Sequence, residues 1–351
     1  MINIPLELNE LLKKTSRSFF LTLNAVPAKI RPHLSIAYLL ARAADTIADT
    51  DALAEAQKLA YLERLQTMVR TRPDDHKIPT DFCHDLIADL TKLSSKPANI
   101  SQAEYQLLLK FDDVLNILFL FERPDQELIG QVLSVIISGQ ISDIKKFNRK
   151  NSKAPSALES LRELDEYTYK VAGCVGEFWT QLCLKHLFKL SQDQTQQMLN
   201  YGISYGKALQ LINVLRDLKT DLKNGRCYIP VELLSQVKLQ PQDLMNPGSE
   251  PLFKPVFYQL LSRAAKDLIT AYDYVAMIPP RFIQLRLATL WPAMIGIKTL
   301  KKLHVSKILD HSVHVKISRS SLWRSIILSF FIWPFPKLLK RQVQSFICSI
   351  N

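Results

Sequence analysis

Tyr205 to Tyr228, YGKALQLINVLRDLKTDLKNGRCY, decides the fold class. Gln210, Asn213, Asp217 and Asp221 recur at intervals of three, four and four, the period of one face of an α-helix. Leu209, Leu211, Ile212, Val214, Leu215, Leu218 and Leu222 surround this polar stripe. Gln210 and Asn213 thus stand deep in apolar sequence, where a solvated face would carry Lys or Glu. Amides and carboxylates in such a setting are costly unless they are paired or metal-bound. Gly225 supplies a stop for the helix, and Arg226 and Tyr228 follow in the loop before Pro230.

A second stripe lies upstream. Pro32 to Thr50, PHLSIAYLLARAADTIADT, has no internal Gly or Pro and predicts another helix. Tyr38, Arg42, Asp45 and Asp49 are spaced by four, three and four, again one face. Taken alone, this stripe reads as a solvated ion-pair face, because charge pairs at such spacing are common on helices. The matching stripe at Gln210–Asp221 is what raises it to a candidate site.

Helical periodicity runs through most of the remaining chain, including 53–70, 104–121 and 126–145. Alternating runs are short, the best being His311 to Ile317 (HSVHVKI). Breakers cluster at Pro27, Pro73, Pro97, Pro124, Pro155, Pro230, the stretch Pro241–Pro255, and Pro279–Pro280. None marks a composition change, so residues 1–300 read as one all-α domain. The 9 glycines are few for 351 residues, and neither GxGxxG nor GxxxxGK[ST] occurs; Rossmann and P-loop sites are poorly provided for. Five scattered cysteines without a CxxC read as reduced thiols of a cytosolic protein. The N-terminus lacks the pattern of a signal peptide, and His311 and His314 have no cysteine or carboxylate cluster to complete a zinc site.

Charge is unevenly placed. From Arg281 onward there are twelve Lys or Arg and a single acid, Asp310, so nearly all of the net charge of +12 lies there. Within residues 301–351, Ser325 to Leu339 (SIILSFFIWPFPKLL) is apolar but cut by two prolines. It falls short of the roughly 20 apolar residues needed to span a bilayer. An interfacial element with Trp323 and Trp333 at headgroup depth fits it, on the cytoplasmic membrane face. Its aromatics do not interleave with basic residues as a nucleic-acid stacking surface would.

Two carboxylates four apart on a helix offer oxygen ligands about one turn, roughly 6 Å, apart. That arrangement suits Mg²⁺, which prefers one or two carboxylates together with substrate phosphates and water. Two such helices facing each other would clamp a diphosphate, with Arg42, Arg216 and Arg226 holding phosphate oxygens through paired N–H donors.

With these residues in view, the chain resembles the squalene/phytoene synthase family, all-helical enzymes that join two prenyl diphosphates head to head. The resemblance runs through SRSFFLTL (16–23), YLLARAADTIAD (38–49), YTYKVAGCVGEFW (167–179) and the Gln210–Pro230 block. It implies an isoprenoid-synthase-type bundle in which Asp45, Asp49, Asp217 and Asp221 hold magnesium. It also implies that Arg17, Arg42, Arg216 and Arg226 contact diphosphates and that Tyr167 handles a proton near the departing diphosphate. Phe19, Tyr38, Gln210 and Tyr228 would line the pocket, and Asn213 would orient the second aspartate group. Within the third motif, VAGCVG reads more simply as small-residue helix packing than as catalysis.

The DT start of DTIAD resembles squalene synthases more than the DE start common in phytoene synthases, although Thr50 takes the place where the squalene enzymes usually carry a further acid. The implied reaction condenses two farnesyl diphosphates through presqualene diphosphate to squalene, consuming NADPH. Alternatives with the same first half stop at dehydrosqualene or phytoene, or use geranylgeranyl diphosphate. A non-catalytic relative would be expected to have lost motif acids or arginines. The expected partners are prenyl diphosphates and a peripheral membrane surface, without nucleic acid, and a monomer is favoured.

Overall fold

Few glycines and long runs of helical period give a chain whose regular structure is almost wholly helical. The computed structural model describes residues 2–16, 19–70, 81–91, 100–147, 154–310 and 312–350. The chain forms two compact units, 1–144 with 185–187, and 145–184 with 188–351.

The first unit contains α1 (Leu6–Ser16), α2 (Phe19–Ala25), α3 (Arg31–Asp49), α4 (Glu55–Arg70), α5 (Asp81–Thr91), α6 (Gln102–Leu109), α7 (Phe111–Leu118) and nearly all of α8 (Arg123–Lys146). Helix α3 is its organising element and packs against α1, α2, α4, α6 and α7. Its buried face holds Ile36, Leu39, Leu40, Ala43, Ala44 and Ile47, the residues that flank the polar stripe in the sequence. The helix ends at Asp49, where the Thr50 hydroxyl accepts from Ala52 N–H at 3.2 Å. The segment 104–121, read from its period as one helix, is two: the backbone breaks at Lys110, and Phe111, Val114, Leu115 and Leu118 of α7 become buried. No Gly or Pro announces this break; packing of the Phe111 face imposes it.

The second unit holds α9 (Leu161–Thr168), a π-helical turn (Tyr169–Gly173), α10 (Cys174–His186) up to Leu184, α11 (Gln192–Lys223), α12 (Val231–Gln236), α13 (Glu250–Met277), α14 (Ile283–Val305), α15 (Arg319–Ile332) and α16 (Pro336–Ile350). Helix α11 is 32 residues long and packs on α13, α14 and the π turn. Leu211, Ile212, Leu215 and Leu218 join Leu261, Ala264, Ala265 and Leu268 in one core. Each buried leucine contributes roughly 1.5–3 kcal/mol, so this face fixes how α11 is turned and which way its polar stripe points.

Gly225 adopts a φ of 76°, stopping α11 as its sequence position predicts. The chain then enters a short parallel pair, β1 (Ser156–Ala157) with β2 (Arg226–Cys227), which fixes the backbone at Arg226. The VAGCVG motif is indeed a packing device: a Cβ on Gly176 would lie 2.0 Å from the Gly202 carbonyl oxygen.

The alternating run forms no strand over residues 312–317, in keeping with the all-α reading, and His311 lies outside the described residues. Pro255, placed in a breaker stretch, sits inside α13 and costs it one backbone hydrogen bond without ending it. The C-terminal helices pack on the second unit, α16 against α13 and α15 against α14. No described helix is long and apolar enough to cross a membrane.

Candidate active site

Each stripe gathers partners within its own unit. On α3, the Tyr38 hydroxyl donates to the Thr15 carbonyl oxygen at 2.8 Å, and its ring lies 5.6 Å from that of Phe19. Arg42 lies 3.8 Å from Asp45 and 3.7 Å from Glu104, and its Nη2 reaches the Thr15 carbonyl at 3.5 Å. Its Nε is buried without a protein partner. Arg17, expected beside these groups, lies outside the described residues.

Asp45 is the most perturbed acid of the stripe. Its side chain keeps 47% of its surface open, yet desolvation by the surrounding protein pushes its carboxyl up to about 6. Arg42 opposes that rise, and the neighbouring Asp49 adds to it. Gln140, on α8, donates its amide to the Asp45 carboxylate. Asp49, one turn on, is exposed. This donor set suits a hard divalent cation: two carboxylates on one face, the inner one poorly solvated as an anion and so gaining from nearby positive charge. Thr50 is buried, and its hydroxyl accepts from the Ala52 backbone.

The second stripe forms a continuous chain of contacts. Gln210 donates to the Tyr167 hydroxyl at 3.2 Å, and Asn213 donates to the Gln210 carbonyl oxygen at 3.4 Å. Tyr167 stacks on Tyr228 at 4.4 Å, and Phe147 closes edge-on against Tyr228 at 5.0 Å. The structure thus joins four predicted residues, Tyr167, Gln210, Asn213 and Tyr228, through direct contacts. Tyr169 is drawn aside, its hydroxyl donating to Glu177 at 2.8 Å.

Asp217 is held differently from Asp45. Arg216 grips it with two donors, Nε to Oδ1 at 2.9 Å and Nη2 to Oδ2 at 2.5 Å. A cation at Asp217 therefore competes with this guanidinium, and displacing it would release Arg216 toward an anionic ligand. Asp221 is half-buried one turn further along.

Three residues near the first stripe escape a reading of periodicity: Thr15, Glu104 and Gln140. Glu104 is visible as the partner of Ser101 in a capping box, but its approach to Arg42 is not. Gln140 is 95 residues from Asp45 and carries no local signal.

Among the described residues, one further group has the composition of a metal site: His33, Asp125 and His186, with ligand atoms within 4.8 Å of one another. Here the Lys185 ammonium already lies 2.7 Å from Asp125. The carboxylate is balanced, and the cluster acts as a brace between α3 and the start of α8.

The sequence model for squalene/phytoene synthase matches residues 12–321. The chain belongs to the squalene/phytoene synthase family. It thereby joins a family of prenyl-transferring enzymes. A bifunctional lycopene cyclase/phytoene synthase of Gibberella fujikuroi is 28% identical over 271 residues, covering 77% of this chain and 42% of that protein. This chain thus spans about two fifths of the length of that relative. The squalene synthase of Candida albicans is 25% identical over 342 residues, 95% of this chain and 69% of that protein. In three dimensions, a ligand complex of TcSQS matches with a TM-score of 0.72 at 20% identity, over 92% of this chain and 85% of that one. The all-α, isoprenoid-synthase-type fold expected from the family resemblance is the fold observed.

Proposed function

We propose that this family member condenses two farnesyl diphosphates head to head, through presqualene diphosphate, to squalene, with magnesium and NADPH. The observation that carries the reading is the pair of arginine-flanked DxxxD stripes, one on α3 and one on α11. Its support in likeness is the squalene synthase relative matched along 95% of the chain.

Asp45 with Asp49 would hold magnesium, and so would Asp217 with Asp221 once Arg216 turns away. Magnesium held there would supply positive charge to the leaving diphosphate and so assist its ionisation. Arg17, Arg42, Arg216 and Arg226 would take diphosphate oxygens. In the first half-reaction one allylic C–O bond breaks and its electron pair leaves with the diphosphate. The double bond of the second substrate supplies the pair for the new C–C bond, and a proton is lost. Tyr167 would handle that proton near the departing diphosphate, with its ring fixed by Tyr228 and its hydroxyl oriented by Gln210. Apolar helix faces with Phe19 and Tyr38 would keep water from the cation. In the second half NADPH would supply the hydride that replaces the remaining diphosphate.

A second reading, favoured by the phytoene synthase relatives, stops at dehydrosqualene or phytoene. Incubating the purified protein with farnesyl or geranylgeranyl diphosphate, with and without NADPH, and identifying the hydrocarbon separates the two. Squalene formed only with NADPH is expected. Dehydrosqualene or phytoene formed despite NADPH would overturn the product assignment, and no prenyl product under any condition would overturn the enzymatic one.

A further inference from the structure

Helix α15 is built the wrong way round for a helix at a protein–water boundary. Its serines face inward. Ser329 is fully buried and accepts from Trp291 Nε1 at 2.8 Å. Ser325 is equally buried and accepts from the Lys298 ammonium, which also reaches the Ser321 carbonyl at 3.0 Å. The opposite face carries Trp323, Ile327, Leu328, Phe330 and Phe331, all at least half exposed, with Phe331 at 72%. Phe335, just beyond the helix, is also exposed.

Single exposed apolar residues are ordinary, but a contiguous patch of this size on one face marks a contact surface. The polar side of α15 is already satisfied by Lys298 and Trp291. Turning the helix over would strand those donors and bury serines nowhere better, so the apolar face is outward by construction.

We infer that α15 is a docking surface for an anionic lipid bilayer, lying in the headgroup plane with Trp323, Ile327, Phe330 and Phe331 inserted. Charge selects this occupant over a second copy of the chain. Arg324 shares the outward face, Arg341 is exposed on α16, and Lys301 is exposed on α14. Beyond Asp310 the sequence contains no acid at all. A two-fold contact through this patch would bring arginine against arginine with no carboxylate to pair them, whereas lipid phosphates complement them. Geometry selects lying over crossing: α15 has 14 residues, about 21 Å of helix, against roughly 30 Å of hydrocarbon. The sequence expectation of two interfacial tryptophans is sharpened. Trp323 is on the outward face, but Trp333 is half-buried under the Arg286 guanidinium and stays with the protein.

The test is flotation of the full-length protein with phosphatidylcholine vesicles, with and without phosphatidylglycerol. The wild type should float with the anionic vesicles and be released by salt. Phe330→Ser with Phe331→Ser should lower the partition coefficient at least about tenfold, with unchanged circular dichroism because both side chains are exposed. Arg324→Glu should weaken binding to anionic vesicles selectively. Equal flotation of wild type and the double variant would overturn the proposal. So would a wild type that stays off both vesicles but dimerises in sedimentation, with the dimer lost in the double variant; that result assigns the face to a second copy.

Discussion

Arg216 and Asp217, adjacent in sequence, bond to each other through two parallel N–H···O contacts. A bidentate grip of this kind is among the stronger side-chain pairings, and it occupies both oxygens of a proposed metal ligand. On the proposed reading, loading the site would exchange guanidinium for cation and free Arg216 for the incoming diphosphate. Replacing Arg216 with Gln should raise the KM for farnesyl diphosphate by about tenfold or more, while Mn²⁺ binding followed by paramagnetic resonance is kept or tightened. Asp217→Asn should instead nearly abolish turnover with helicity intact. Normal kinetics in both variants would remove Asp217 from the site.

Gln140 provides the corresponding test on α3. Its amide is the only neutral side-chain donor recorded on Asp45 among the described residues, so it aims the carboxylate without competing charge. Gln140→Ala should raise the magnesium concentration for half-maximal rate several-fold and lower kcat/KM about tenfold. Stability should change by only about 1 kcal/mol, measured by urea unfolding. A stability loss without any shift in the magnesium requirement would make Gln140 purely structural.

Acid should loosen the first unit through the Asp125 cluster. His33 is buried, and that burial lowers its pKa from the ordinary 6.5 against the pull of Asp125. Burial acts to raise Asp125, but Lys185, His186 and His33 together outweigh it and hold the carboxyl below 3.8. The unfolded chain binds protons that the folded chain refuses, so stability falls as pH drops. For His33 the fall starts near pH 6.5; the Asp125 contribution is lost only below 3.8. Urea midpoints measured between pH 7 and 5 should decline in the wild type and decline less in His33→Gln. Asp125→Ala should cost about 3 kcal/mol at neutral pH by leaving its partners uncompensated.

The α10–α11 contact leaves no room for a side chain. Gly176 and Gly202 meet backbone to backbone, and an added Cβ at Gly176 strikes a carbonyl that cannot swing aside. Gly176→Ala should destabilise the protein by about 2 kcal/mol or more, read as a lowered Tm. The π turn and Tyr167 lie just before this contact, so turnover should fall more steeply than stability does.

A membrane-docked α15 also suits the proposed chemistry. A long hydrocarbon product leaves more readily into lipid than into water.

Much of this protein is legible locally. The helical class, the two stripes and their flanking arginines follow from residues three and four apart, a spacing the helix itself brings together. The stop at Gly225 and the close packing of VAGCVG follow from what glycine alone permits. Other features depend on which surfaces meet. The break at Lys110 carries no Gly or Pro, so only burial of Phe111 reveals it. Gln140 reaches Asp45 across 95 positions, and nothing near either residue encodes the other. The sequence of α15 shows an apolar stretch, but only the fold shows Ser325 and Ser329 turned inward and Phe331 turned out. Periodicity is a property of the backbone and is settled within a few turns. Choice of partner is a property of packing, and it is settled only when distant helices compete for the same buried space.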